Sequence, residues 1–303
     1  MKQILLPCAA AAIIGIVIVG NVSSSPPIRQ TATAPNAQSQ MAYPSTALSK
    51  ATAQAAEALK TRLDTSFNVI TDPPFIAAGN IEPQELRQYM DSSIIKPARV
   101  LWAGYFQARP DQPITVLLFK DDASYRFWAK KLFNDDDVSH FGYYRDEIKT
   151  LVMNISTGSG TLVHELTHAL IVYDFPRLPD WFNEGFASLH ECCTIGSDDI
   201  TGWENWRLPA LQKAIGGGAL RSLKDMVTRR DFYGRQQGMN YAQARYLCLF
   251  MQRKGLLKDF YAFFREHHGQ QGDDVKALEK VLRKDITAIE KDYLEFVKAL
   301  KAP

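Results

Sequence analysis

Residues 160–170 read Gly-Thr-Leu-Val-His-Glu-Leu-Thr-His-Ala-Leu, or GTLVHELTHAL, and this stretch decides how the chain is read. Leu162, Val163, Leu166, Ala169 and Leu170 are the apolar side chains of a buried helix. Yet His164, Glu165 and His168 sit among them, and burying polar groups without partners costs free energy. A helix advances about 100° per residue, so residues four apart lie on one face, one turn apart. His164 and His168 therefore aim at a common point, the bite that a single divalent cation requires, and imidazole suits zinc. Glu165 reaches the same cavity from another angle. There it can take a proton from a metal-bound water rather than bind the metal itself. This is the H-E-x-x-H pattern.

A catalytic zinc needs a third protein ligand and an open fourth position. Downstream, residues 178–188 read LPDWFNEGFAS. Glu184 stands there between aromatic and small residues, an odd place for a carboxylate that has no cation. The residues between His168 and Glu184 suffice for a turn and a second helix to return to the metal. The expected centre is one zinc ion held by His164, His168 and Glu184.

Outward from the motif, Leu151, Val152, Met153, Asn154 and Ile155 read as a strand. The run STGSG at 156–160 then breaks the chain, and Ser159 or Thr161 can cap the next helix. Residues 51–63 read as a helix, and 67–71 as a strand stopped by Asp72-Pro73-Pro74. Residues 83–106 are helical again, with Pro97 as a kink. ITVLLF at 114–119 is a buried strand by its β-branched, apolar run. Asp121-Asp122 opens a helix to Phe133, NDDD at 134–137 is a solvated loop, and 141–144 is another strand. From Asn205 onward almost everything is helical, most clearly 241–254, 258–267 and 275–300. The fold class is therefore α+β. An α/β part at 51–200 precedes a helical lobe at 201–303, as one continuous domain or as two lobes.

The 303 residues are 46% hydrophobic and 22% charged, enough for a sizeable core. The net charge is +2, with both signs well mixed and no basic stripe, which argues against nucleic acid as a partner. Residues 1–24 carry an apolar run from Ile4 to Val19. They read as a signal peptide cleaved after Ser24, or as an uncleaved anchor slightly short for a membrane span. Either reading exports the protein to the periplasm or the extracellular space, in the second case tethered to the membrane. Residues 25–50, rich in Ser, Thr, Pro, Ala and Gln, have too little to bury and form a disordered tether. Three cysteines follow. One of Cys192 and Cys193 can bridge to Cys248 in an oxidising compartment, or all three are small buried hydrophobes.

HELTH at 164–168 followed by WFNEGFAS at 181–188 resembles the gluzincin metallopeptidases of the MA clan. The phrase around Glu184 is similar to the membrane-alanyl-aminopeptidase branch. The gap to Glu184 is shorter here, however, and that branch's upstream glycine-methionine-glutamate-asparagine signature, which anchors a substrate amino terminus, is absent. The whole run resembles more closely the poorly characterised bacterial peptidase-MA-like families. It comprises FGYY, LVMNISTGSGTLVHELTHAL, LPDWFNEGFASL and NYAQARYL, within residues 67–261. The resemblance implies a zincin-like catalytic core, with a twisted mixed sheet and an active-site helix, followed by a helical lobe. It implies His164, His168 and Glu184 as zinc ligands and Glu165 as the base. The implied activity is hydrolysis of peptide bonds in a peptide or protein substrate, through a metal-bound water activated by Glu165. The alternative is an exported, tethered binding or scaffold protein with this fold and little or no activity. A di-iron site is set aside because no second Glu-x-x-His exists in the chain.

The resemblance also places a tyrosine or histidine on a later helix as a donor to the developing oxyanion. Tyr241 is the candidate here, and its other reading is a core aromatic. Residues 151–155, Leu151 to Ile155, are expected to be the edge strand that holds an extended substrate by backbone hydrogen bonds, besides being an ordinary strand of the sheet. His190 and Glu191 read as surface residues in preference to partners of a ligand imidazole. Arg207, beside Trp206, reads as a member of an ordinary salt bridge in preference to a binder of substrate carboxylate.

Overall fold

A computed structural model describes residues 43–270 and 272–301. The apolar run at 1–24, and with it the choice between cleavage and anchoring, lies outside the described residues. Among the described residues no helix is long and apolar enough to cross a membrane.

The first part of the chain runs α1 (Thr46–Lys60), β1 (Asn68–Asp72), β2 (Phe75–Gly79), α2 (Pro83–Tyr89), a π-helical segment (Met90–Ile95) and α3 (Lys96–Gly104). It continues through β3 (Ile114–Phe119), α4 (Asp122–Phe133), β4 (Gly142–Arg145), β5 (Thr150–Asn154), α5 (Gly160–Asp174) and α6 (Asp180–Leu189). A hairpin of β6 (Cys193–Ile195) and β7 (Ile200–Gly202) follows. The remainder is α7 (Leu208–Gly216), α8 (Leu223–Thr228), α9 (Gln237–Arg253), α10 (Leu257–His267), α11 (Asp273–Leu282) and α12 (Ile286–Ala299).

Five strands form one mixed sheet in the order β1-β2-β3-β5-β4. The inner three are parallel, and β1 and β4 flank them antiparallel. Parallel strands need cover on both faces and so read as unbroken apolar runs. Alternate residues of a strand point to opposite faces, and the core divides accordingly. Ile76, Ala78, Leu117, Phe119 and Val152 pack with α1 and α4, through Ala56, Leu59, Tyr125 and Trp128. Phe75, Ala77, Val116, Leu118, Leu151 and Met153 pack on the other face, against α3 and α5. That second core runs on without a break into α6, α9, α10, α11 and α12, through Phe182, Leu247, Phe260, Leu278 and Tyr293. The α/β part and the helical part therefore share one interior. A Cβ on Gly185 of α6 would stand 2.8 Å from the Ala244 carbonyl oxygen of α9, so the two helices cross at backbone contact.

Several expectations are corrected. Residues 151–155 are not an edge strand. β5 is hydrogen-bonded to β3 on one side and to β4 on the other, and its residues are all buried. Leu151, Val152, Met153 and Asn154 therefore have no free backbone edge for a substrate, Ile155 already lies in a 3-10 turn, and the edge next to α5 is β4. β1 does stop at Asp72, and Pro73-Pro74 turn the chain back into β2, a strand the sequence did not suggest. The sequence FIAAG of β2 has little intrinsic strand preference and is a strand because neighbours flank it on both sides. The tether ends earlier than position 50. The Ser45 hydroxyl accepts a hydrogen bond from the Leu48 amide and caps α1, and Tyr43 stacks edge-on against Trp102 under the Arg109 guanidinium. Residues 275–300 form two helices, because Arg283 adopts a left-handed conformation and Asp285 caps α12. Ser159 stands at the N-cap of α5 without a side-chain hydrogen bond. Pro97 falls in the first turn of α3, where its missing N–H is harmless, and the distortion is the π-helical segment before it. Cys192, Cys193 and Cys248 are all free thiols.

Candidate metal centre

α5 is buried on nearly every side because its apolar residues meet both the sheet and the helical part. His164 and Glu165 are each only 5% exposed. Their partners come from α6, which returns across α5 after a short turn and carries Asn183 and Glu184.

Nε2 of His164 and Nε2 of His168 stand 3.0 Å apart. Oε2 of Glu184 lies 3.4 Å from each of them. Ligands about 2.0–2.2 Å from one tetrahedral ion stand about 3.3–3.6 Å apart; the two sides to Glu184 fall in that range, and the side between the imidazoles, at 3.0 Å, is shorter. What holds the other atom of each group points the same way. Nδ1 of His168 meets Oδ1 of Asn183 at 2.8 Å. Nδ1 of His164 lies 3.1 Å from Oε1 of Glu191. That contact is off the line a hydrogen bond needs, but the charge attraction does not depend on the angle. With acceptors at both Nδ1 atoms, the ring protons belong there and both Nε2 atoms present lone pairs. Oε1 of Glu184 accepts a 2.6 Å hydrogen bond from the Tyr233 hydroxyl, while its buried Oε2 has no hydrogen-bond partner. With both imidazoles neutral, three electron-pair donors thus converge, and such a cluster could hold a cation. The residues fit a zinc ion.

The protonation energetics agree. Burial opposes charge on His164, but Glu184 and Glu191 outweigh it and raise the imidazole to about 10. Burial likewise opposes charge on Glu184, and the two imidazoles overcome it and hold the carboxylate well below the usual range. The cluster therefore draws a positive charge to itself, here a proton on His164. For Glu165, burial dominates and raises the carboxyl.

Tyr241, expected as the oxyanion donor, is 5% exposed in α9. Burial and the Glu184 carboxylate together push its phenol far above the ordinary range, so it is held as a protonated donor beside Glu184. Sequence reasoning missed Tyr233, in the loop between α8 and α9. Its neighbours Arg229, Arg230 and Arg235 and the glycine at 234 suggest only a solvated loop, yet its hydroxyl reaches Glu184. It also missed Asn183, which stands next to Glu184 on α6 and meets Nδ1 of His168.

His190 and Glu191 are corrected from surface residues, the first to a buried one and the second to one whose side chain is 10% exposed. α6 ends at Leu189 and the β6–β7 hairpin folds back, which turns both side chains toward α5. Gly160 backs directly onto the Glu191 carbonyl, bringing Glu191 beside the first turn of α5. Burial drives Glu191 upward, but Arg207 and His164 prevail and bring its pKa down to about 2. Arg207 forms the expected salt bridge, and its partner is Glu191. His190 packs edge-on against Phe186, and burial lowers it to about 3, so it is a neutral core imidazole. The Glu191→Gln chain, which loses the charge behind His164, is expected to bind zinc about 10–100-fold more weakly. Competition with a chromogenic chelator measures this, and an unchanged affinity removes Glu191 from the centre. No family model matches the chain, and no curated protein matches it.

Proposed function

We propose that the chain is a zinc-dependent metallopeptidase with a zincin-like core, of the gluzincin kind, hydrolysing peptide bonds in a peptide or protein substrate. The observation that carries this reading is the convergence of two Nε2 lone pairs and an unpartnered carboxylate oxygen, beside a further carboxyl, Glu165, raised by burial. A purely structural zinc site would normally be closed by four protein ligands. Here three converge among the described residues.

His164, His168 and Glu184 would hold the ion. When bound, zinc would supply Lewis acidity and bring the pKa of a water near neutrality. Glu165, with a carboxyl poised above the ordinary range, accepts a proton from the attacking water on its carboxylate oxygen. It then returns that proton to the nitrogen of the departing amine. Tyr241 and Tyr233, both protonated, are the candidate donors for the oxyanion that develops on the peptide carbonyl, and Tyr233 would have to turn its hydrogen bond from Glu184 to do so. Tyr233 is 37% exposed, so a substrate can reach it. The outer edge of β4, with no strand beyond it among the described residues, is the place for an extended substrate to add by backbone hydrogen bonds.

The reading is tested by incubating the zinc-loaded chain with casein as an unfolded substrate and following new amino termini. Cleavage that stops with a chelator and returns with zinc is expected. A chain that holds one zinc ion and cleaves neither casein nor a peptide library is instead the scaffold of the alternative reading. The two tyrosines are separated by single substitutions. Tyr241→Phe and Tyr233→Phe each remove one hydroxyl, and loss of an oxyanion donor lowers kcat by about 10²–10³. The true donor shows that loss in kcat with little change in KM, and the other does not.

A further inference from the structure

A cavity of about 690 Å³ opens at the end of α6 that carries Pro179 and Asp180. Trp181 and Val227, both buried, contribute apolar surface to it. Arg177 enters from the turn between α5 and α6, and Arg229 and Arg230 from the loop after α8. Arg177 and Arg230 are exposed and have no ion-pair partner among the described residues. Arg229 pairs with Asp225, at 3.8 Å on an exposed helix end, and also feels the Asp231 charge. Two carboxylates also line the space. Asp274 is engaged by the Trp181 indole, whose N–H donates to it at 2.7 Å, and by the nearby His268. Asp180 is left, its pKa raised by burial and by the Glu184 charge, and the two carboxylates face three guanidinium groups. The cavity therefore carries an excess of positive charge with two guanidinium groups uncommitted.

Its position ties it to the metal centre. Asp180 precedes Glu184 by one turn of α6, about 6 Å along the axis, which is the span of about two residues of extended peptide. The loop that supplies Arg229 and Arg230 also delivers the Tyr233 hydroxyl onto Glu184. One segment of chain thus shapes both the cavity and the centre.

We propose that this cavity is a substrate subsite that takes a carboxylate of the peptide, gripped by Arg177 and Arg230, within about two residues of the bond to be cut. Guanidinium forks match carboxylates in geometry as well as charge. The carboxylate comes either from an aspartate or glutamate side chain or from the free carboxyl terminus. The inference rests on the peptidase reading and names the substrate class that reading leaves open.

The test measures binding on a protein that cannot cut, the full zinc-loaded Glu165→Gln chain. The probes are four fluorescein-labelled nonapeptides of alanine and leucine, each with one central glutamate or glutamine and a free or amidated carboxyl terminus. Fluorescence anisotropy is expected to show a carboxylate-bearing peptide binding about tenfold tighter than the glutamine amide, the size of a charge-assisted hydrogen bond. The glutamate amide and the glutamine acid distinguish the side-chain source from the terminal one. Adding Arg177→Gln and Arg230→Gln should abolish the preference and leave the affinity for the glutamine amide unchanged. Both arginines are exposed and unpaired, so the fold does not depend on them. Equal binding of all four peptides, no measurable binding of any, or a preference that survives the double substitution overturns the subsite. None of these results bears on casein hydrolysis by the native chain, whose absence would overturn the peptidase reading instead.

Discussion

The Glu165→Gln chain is expected to take up zinc as the native chain does and to hydrolyse casein at least about 10²–10⁴-fold more slowly, the range supplied by general acid–base catalysis. The two halves of this expectation have separate physical grounds. Zinc uptake depends on the triangle of His164, His168 and Glu184, to which Glu165 contributes no atom. Glutamine has the same shape as glutamate, so the apolar packing of α5 is undisturbed. Hydrolysis depends on an oxygen that can hold a proton and release it, which an amide cannot do near neutral pH. The native carboxyl suits this task because burial raises its pKa toward the working range. Global stability should not fall, since an amide is cheaper to bury than a carboxylate whose charged form is penalised there. Zinc content by atomic absorption, casein hydrolysis and a melting curve measured on one preparation decide the matter. A substituted chain within tenfold of native activity at equal zinc content removes Glu165 from the chemistry.

The centre was legible in the sequence where local geometry alone fixes it. Two histidines four apart on a helix must share a face, whatever surrounds them. Glu184 was legible for a different reason: a carboxylate between Phe182, Gly185 and Phe186 has no place in a core without a positive partner. The groups behind His164, His168 and Glu184 were not legible, because they depend on where chain segments return in space. Glu191 stands behind His164 only because the backbone after α6 packs on Gly160. Tyr233 reaches Glu184 only because the loop after α8 folds over the cleft. Neither relation has a periodicity or a spacing that could announce it.

The sheet shows the same division. β3 and α4 were legible to their bounds, the first from an unbroken β-branched run and the second from Asp121, whose carboxylate caps the helix by accepting from the Ser124 amide. β5 was legible as a strand but not as an inner one. Strand order is a property of the assembled sheet, and an apolar run buried on both faces argues for an interior position. Thr150–Asn154 is such a run, and weighing that burial would have placed the edge at β4, whose residues are mostly half-exposed.

Removing the metal is expected to have the largest effect on stability. A ligand that binds only the folded chain stabilises it by mass action, by about 4 kcal/mol when present at a thousandfold its dissociation constant. For a folded region of this size about 1 kcal/mol moves the melting temperature by about 2–4 °C, so zinc should raise it by about 8–16 °C. The metal-free chain retains a partial substitute, a proton on His164. That imidazole is raised to about 10 from an unfolded value of 6.5. Its contribution to metal-free stability is therefore complete below about pH 6.5 and is lost as pH rises toward 10. Zinc must displace that proton, so the gain from zinc should grow between pH 6.5 and 8. His164→Ala removes one ligand and with it most of the affinity, and its melting temperature should be the same with zinc as with a chelator. Differential scanning calorimetry of both chains across this pH range supplies the answer. A native chain whose melting temperature ignores zinc at every pH would mean that His164, His168 and Glu184 do not grip a metal, and the catalytic reading built on them would go with it.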